Sequence, residues 1–210
     1  MSDFIKNLLS NNKKWVAAKL QSDPEFFNVL SNRHEPQLLW IGCSDARVPA
    51  NEITGTKPGD VFVHRNISNM VVHTDMNLLS VLSYAVEVLQ VKHIIVCGHY
   101  QCGGIRAAMS NTSFGLIDNW LRHVKDVYRL HLNELEKIAD ESKRYDRLVE
   151  LNVMQQVHNL CKTSIVQSAW QKGEFPYIHG WVYDVNDGIL KDLEVTFNSH
   201  HPLPDLYKFS

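Results

Sequence analysis

Two short segments hold most of the side chains in this sequence that could do chemistry. One is Trp40-Ile41-Gly42-Cys43-Ser44-Asp45-Ala46-Arg47, the other Cys97-Gly98-His99-Tyr100-Gln101-Cys102-Gly103-Gly104. In an extended loop Cys43, Asp45 and Arg47, spaced by two, project to one side, so a thiol, a carboxylate and a guanidinium share a microenvironment. His99-x-x-Cys102 is a compact ligand pair of the sort that wraps a metal, with Cys43 available as a third ligand from another strand. A Cys2His set with one remaining position belongs to catalytic rather than closed structural zinc. Taken singly, each residue reads equally as a buried thiol or a hydrogen-bonded turn histidine. Together at matched strand ends they read as a Zn2+ site.

Two thiolates and a neutral imidazole cancel the formal charge of Zn2+, so a bound water feels a weaker acidifying field than on three histidines. Asp45 then has two possible uses. It can orient the water while Arg47 grips it at two points, or ligate the metal itself and close the site. Because hydroxide and carboxylate compete for one position, the balance should follow pH. Gly98, Gly103 and Gly104 match neither G-x-G-x-x-G nor a P-loop, which leaves phosphate cradling the weaker reading. Gly103-Gly104 instead lets backbone pass close to a metal and enter a helix near Ile105. Cys97 and Cys161 read as core thiols. His64, His73, His93, His123, His158, His179, His200 and His201 lack ligand-like pairing and read as surface or core residues.

The elements that position these segments follow from periodicity. Leu38–Ile41 and His93–Cys97 are almost continuously apolar, the mark of parallel strands covered on both faces, and Val61–Val63 is a third short strand. Their carboxyl ends are where open α/β sheets place sites. Helices are expected over Phe4–Leu20, just after Ser22-Asp23-Pro24 with Ser22 or Asp23 as cap, and over Asp75–Gln90 with Asp75 as cap. Two more are expected over Phe114–His131 and Tyr145–Gln171, separated by the charged stretch Glu134–Arg144. The first helix either lies on its own core or packs on a partner subunit. Tyr177–Val185 and Ile189–Val195 form an antiparallel pair through Asn186-Asp187-Gly188. The fold class is α/β: a mostly parallel sheet with flanking helices, one antiparallel edge strand and an N-terminal helical arm.

The 210 residues are 44% apolar and 21% charged with a formal net charge of −2. These values fit one domain over 1–210, with 1–34 as the arm, large enough to fold without a metal staple. Interspersed charge argues against nucleic-acid or anionic-membrane partners. No apolar run is long enough for a membrane span, and neither a secretory nor a transit signal is visible, which predicts a cytoplasmic protein.

C-S-D-A-R-V at Cys43 to Val48, G-H-x-x-C-G-G at Gly98 to Gly104 and V-H-R-N-I-S-N at Val63 to Asn69 resemble landmarks of the β-class carbonic anhydrases. The resemblance extends from the N-terminal helix to about Val195. It implies Zn2+ on Cys43, His99 and Cys102, with Asp45 and Arg47 as the catalytic dyad and Asp45 on the metal in a closed state. The implied reaction is reversible hydration of CO2 to bicarbonate and a proton, by attack of zinc-bound hydroxide. Four parallel strands with an antiparallel fifth, and a homodimer or homotetramer, are implied as well. Trp40, Arg65 and Tyr183 are similar to the residues with which the allosteric (type II) subgroup binds bicarbonate away from the metal and favours the closed form. The alternative for Trp40 and Tyr183 is aromatic packing. Ile67, Val71, Tyr84 and Gly103 are candidates for the substrate pocket. After Val195 the tail is short and proline-broken, where members of the family often continue as a longer segment.

Two rival functions use the same residues. One is a zinc hydrolase of another heterocumulene such as CS2; the other is a non-catalytic bicarbonate- or metal-sensing protein in which Asp45 stays on the zinc.

Overall fold

The computed structural model describes residues 2–173, 175–198 and 203–209. The chain forms two compact units, Met1–Glu35 and Pro36–Ser210. In the first, α1 (Asp3–Ser22) and α2 (Phe26–Asn32) are joined by a turn in which Asp23 Oδ1 accepts from Glu25 N–H at 3.1 Å. Asp23 thus makes the turn rather than the cap, and Glu25 stands at the cap position of α2. Trp15 meets Phe26 and Phe27 edge-on, with centroids 6.1 and 5.6 Å away. No residue of α1 is buried; Phe4, Leu8, Leu9 and Trp15 are exposed.

The second unit is built on a five-stranded sheet: β1 (Leu38–Cys43), β2 (Val61–Asn66), β3 (His93–His99), β4 (Tyr177–Tyr183) and β5 (Leu190–Phe197), in the order β2-β1-β3-β4-β5. The first four strands run parallel, and β5 pairs antiparallel with β4. Within the expected apolar runs Leu39–Ile41 and Ile94–Cys97 are buried, while Leu38 is half-buried and His93 exposed, and the burial continues beyond the runs to Cys43 and His99. From β1 the chain goes to one side of the sheet and from β3 to the other, so the order reverses between these two strands. Such a switch point leaves a crevice at the carboxyl ends of its strands.

Helices fill the connections. α3 (Ala50–Thr54) covers one face of the sheet, where Ala50 packs with Trp40, Val48, Ile95 and Cys97. α4 (Met76–Ser83) is capped by Asp75, which accepts from Asn77 and Leu78 N–H. It runs on into a wide turn at Tyr84–Val88, where Leu89 N–H reaches Tyr84 O, and Gln90 ends it with φ +52. α5 (Gly103–Ala108) starts at the second candidate loop. α6 (Ile117–Leu130) begins three residues later than its apolar pattern suggested, because Asp118 holds Phe114 N–H and Gly115 turns at φ +80. α7 (Leu132–Leu135) is a single turn.

The expected helix over Tyr145–Gln171 is two helices, α8 (Glu141–Cys161) and α9 (Ser164–Lys172). Thr163 breaks it: its Oγ1 donates to Leu160 O at 2.7 Å and accepts from Val166 N–H, replacing helical bonds with a new cap. Asp140 caps α8 through Lys143 N–H, so the helix starts inside the charged stretch. The tail docks on α9, where Gln167 Nε2 donates to Tyr207 O and Gln167 Oε1 accepts from Phe209 N–H, at 2.8 and 2.9 Å. His200 and His201 lie outside the described residues.

α8 lies across β3 and β4 because Gly98 has no side chain. A Cβ there would stand 2.6 Å from Val153 Cγ2, a buried β-branched group without room to move. Gly98→Ala should therefore cost about 1–3 kcal/mol, read as a lower urea midpoint. An unchanged midpoint would show that the helix can retreat freely.

Candidate metal centre

The loops after Cys43 and His99 open on the crevice between β1 and β3, where Gly42 pairs with Cys97. One sulfur of Cys43, one of Cys102 and a ring nitrogen of His99 lie within 4.8 Å of one another, and all three residues are buried. The sulfurs are 3.9 Å apart. Two Zn–S bonds of about 2.3 Å at a tetrahedral angle would set them about 3.8 Å apart. His99 is oriented from behind: Nδ1 is 2.9 Å from the Tyr100 carbonyl, an acceptor that requires the proton on Nδ1 and leaves a lone pair on Nε2. That Nε2 is buried without a hydrogen-bond partner among the described residues. An orphaned imidazole nitrogen beside two thiols costs free energy that a metal would recover. The donor set fits zinc.

The two thiols are unequal. The contact with the Cys102 sulfur, first of all, pulls the Cys43 thiol down, against the cost of its burial. Cys102 is pushed up by the same pairing with Cys43 and by burial. Cys97 and Cys161 are fully buried, with thiols raised by desolvation, in keeping with a packing role.

Asp45 sits at the mouth. Arg47 Nε donates to Oδ1 at 2.9 Å and Nη2 to Oδ2 at 2.7 Å, while Arg47 N–H adds a third bond to Oδ1. Chiefly through the Arg47 side chain, the carboxyl is held well below the usual carboxylate range. Oδ2 lies 3.7 Å from His99 Nε2. Arg47 Nη2 also donates to Gln101 O at 3.2 Å, tying the two loops together. The sequence-selected group Cys43, Asp45, Arg47, His99 and Cys102 is thus gathered in one place.

The other candidates are dispersed around it. Arg65 donates from Nε to Cys43 O at 2.8 Å and from Nη2 to Asp45 O, so it clamps the first loop. Trp40 is fully buried with Nε1 unpartnered among the described residues; Gly42 makes the room, since a Cβ there would lie 2.4 Å from that nitrogen. Tyr183 packs against the same small apolar cluster as Trp40. Gly103 faces open space. Ile67 is partly exposed and Val71 buried. Tyr84 stacks on Phe62 at 5.8 Å, and Phe62 pairs in register with Leu39, four residues back along β1 from Cys43. Within the chain Tyr84 is therefore not among the groups around the thiols.

Several supporting residues carried no signal in spacing. Tyr145 Oη donates to Cys102 O at 2.7 Å from α8. Tyr100 Oη donates to Glu150 at 2.7 Å, and Glu150 also accepts from Arg147 and Lys191, which braces the His99 loop. Ser68, inside the V-H-R-N-I-S-N segment, places Oγ 3.7 Å from Cys102 Sγ.

Cys43, His99 and Cys102 thus make a buried dithiol–imidazole cage at the switch point of an α/β sheet, a donor set that could hold a metal ion, with the Asp45 carboxylate at its mouth. Residues 38–190 match the family model for carbonic anhydrase. A carbonic anhydrase of Emericella nidulans is 52% identical over 190 residues, covering 90% of this chain and 83% of that protein. Among solved structures, a tetrameric β-carbonic anhydrase of Sordaria macrospora superposes with a TM-score of 0.89 at 40% identity, covering 93% of this chain and all of that one. A Coccomyxa β-carbonic anhydrase in complex with acetazolamide gives 0.89 at 35% identity, over 94% of this chain and 90% of that one. The chain belongs to the β-class carbonic anhydrase family, and its reaction is the hydration of CO2.

Proposed function

We propose that the chain hydrates CO2 with zinc held by Cys43, His99 and Cys102, that Asp45 moves between Arg47 and the metal, and that bicarbonate inhibits it from a second site. The orphaned, buried Nε2 of His99 between two thiols carries this reading. When bound, zinc acidifies the water that attacks CO2. With zinc bound, Asp45 would accept a hydrogen bond from that water and so orient it. Arg47 keeps Asp45 ionised and away from the ligands. If that grip were released, Asp45, whose Oδ2 lies 3.7 Å from His99 Nε2, could turn toward the cage and ligate the metal. Stoichiometric zinc and CO2 hydration by stopped flow test the reading; zinc-loaded protein without activity would refute it.

The bicarbonate site rests on Trp40 Nε1, a buried donor without a partner among the described residues, and on Arg65, which clamps the carbonyls of Cys43 and Asp45. An anion that draws Arg65 toward Trp40 and Tyr183 loosens this clamp and frees Asp45 to close the site. Trp40→Phe removes one donor to an anion, worth about tenfold in inhibition constant, with turnover at low bicarbonate little changed. Equal inhibition in wild type and variant would remove this second site.

For assembly we propose a homo-oligomer in which the apolar side of α1 packs on a second copy, supported by its exposed Phe4, Leu8, Leu9 and Trp15 and by the tetrameric Sordaria relatives. A solution mass of 24.1 kDa, that of one chain, would contradict it. Ligation by thiolates requires reduced cysteines, which supports a cytoplasmic location; imaging of the tagged full chain checks that.

A further inference from the structure

We infer that Ser68 is a positioning residue for the metal, donating its hydroxyl proton to the Cys102 sulfur and setting how strongly that thiolate binds. The inference rests on the zinc reading above. Ser68 is fully buried, and Cys102 Sγ at 3.7 Å is the one hydrogen-bond partner of its Oγ among the described residues. A ligating thiolate has no proton to give, so the hydroxyl must be the donor.

The fold holds this serine in place at a cost. Its backbone is left-handed, φ +64 and ψ +28, a conformation that a side chain other than glycine or asparagine adopts with strain. A buried polar relay from α8 secures it. Asn152 Nδ2 donates to Ser68 O at 3.1 Å, Gln156 Nε2 donates to Asn152 Oδ1 at 3.0 Å, and Gln156 Oε1 accepts from Val71 N–H at 2.9 Å. Gly104 leaves space for the hydroxyl, since a Cβ there would stand 2.2 Å from Ser68 Oγ. That glycine therefore serves the Ser68–Cys102 contact as well as the entry into α5. Hydrogen bonds to ligating atoms typically change metal affinity 10–100-fold.

The test uses the full chain loaded with Co2+ in place of zinc. A hydrogen bond lowers the energy of the sulfur lone pair, so removing it moves the sulfur-to-cobalt charge-transfer band to longer wavelength. Ser68→Ala should show that shift and bind zinc about tenfold more weakly in competition with a chelator. Ser68→Gly relieves the left-handed strain yet also lacks the hydroxyl, so it should show the same shift while folding at least as well; a purely structural role would leave its band at the wild-type position. Wild type that binds metal, with variants unchanged in band and affinity, overturns the role of Ser68. Wild type that binds neither Co2+ nor zinc overturns the zinc reading itself.

Discussion

Cys43→Ser is expected to empty the metal centre and abolish CO2 hydration. Cys43 ends β1 fully within the sheet, with its carbonyl held by Arg65 at 2.8 Å, so the smaller serine can take the same backbone position with little strain. What it lacks is an ionisable sulfur. The Cys43 thiol is pulled down by its contact with Cys102, whereas a serine hydroxyl stays neutral and is a poor zinc ligand. The cage drops to one thiolate and one imidazole, and without metal no nucleophile is generated at neutral pH. The rate should fall to that of buffer, a loss of about 10⁶-fold or more. Cys161→Ser is the matched control: it disturbs a buried thiol in α8 and should lower stability while keeping zinc and rate. Equal zinc content in wild type and Cys43→Ser would show that the metal is held elsewhere.

Asp45→Asn should cost on the order of 10²–10⁴-fold in kcat/KM with zinc retained, the range for losing a positioned proton acceptor. Arg47 presents two side-chain donors and one backbone donor to this carboxylate. An asparagine offers one acceptor and turns an N–H2 group against the guanidinium, so it cannot keep the same position. Because Arg65 holds the Asp45 carbonyl, the backbone should stay while the side chain leaves. Zinc analysis beside stopped-flow rates separates this outcome from ligand loss. A variant within about threefold of wild type would mean that the carboxylate takes no part in turnover.

Much of the centre is legible in the sequence, since its ligands follow two strands whose continuous apolar runs mark them as buried and parallel. The sheet order that makes β1 and β3 neighbours, with β2 between them in sequence, then puts their following loops side by side, so Cys43, His99 and Cys102 converge. The Asp45–Arg47 pair is equally local. What spacing does not reveal comes from far along the chain or from backbone conformation. Tyr145, Glu150 and Asn152 reach the loops only because α8 packs over Gly98, and nothing in an amphipathic helix says which polar residue will turn inward. Ser68 adopts a left-handed turn that serine seldom signals. The break at Thr163 was hidden because its hydroxyl caps a helix inside an unbroken apolar pattern. Tyr84 stacks on Phe62 within its own chain, a placement that its position in an apolar helix pattern does not reveal.

The most direct test is a titration of metal-free protein with zinc, following CO2 hydration by stopped flow in alkaline buffer. The rate should rise in proportion to added zinc and level off at one ion per chain, while Cys43→Ser stays at the buffer rate throughout. A wild-type protein that takes up one zinc per chain and still hydrates CO2 no faster than buffer would contradict the account.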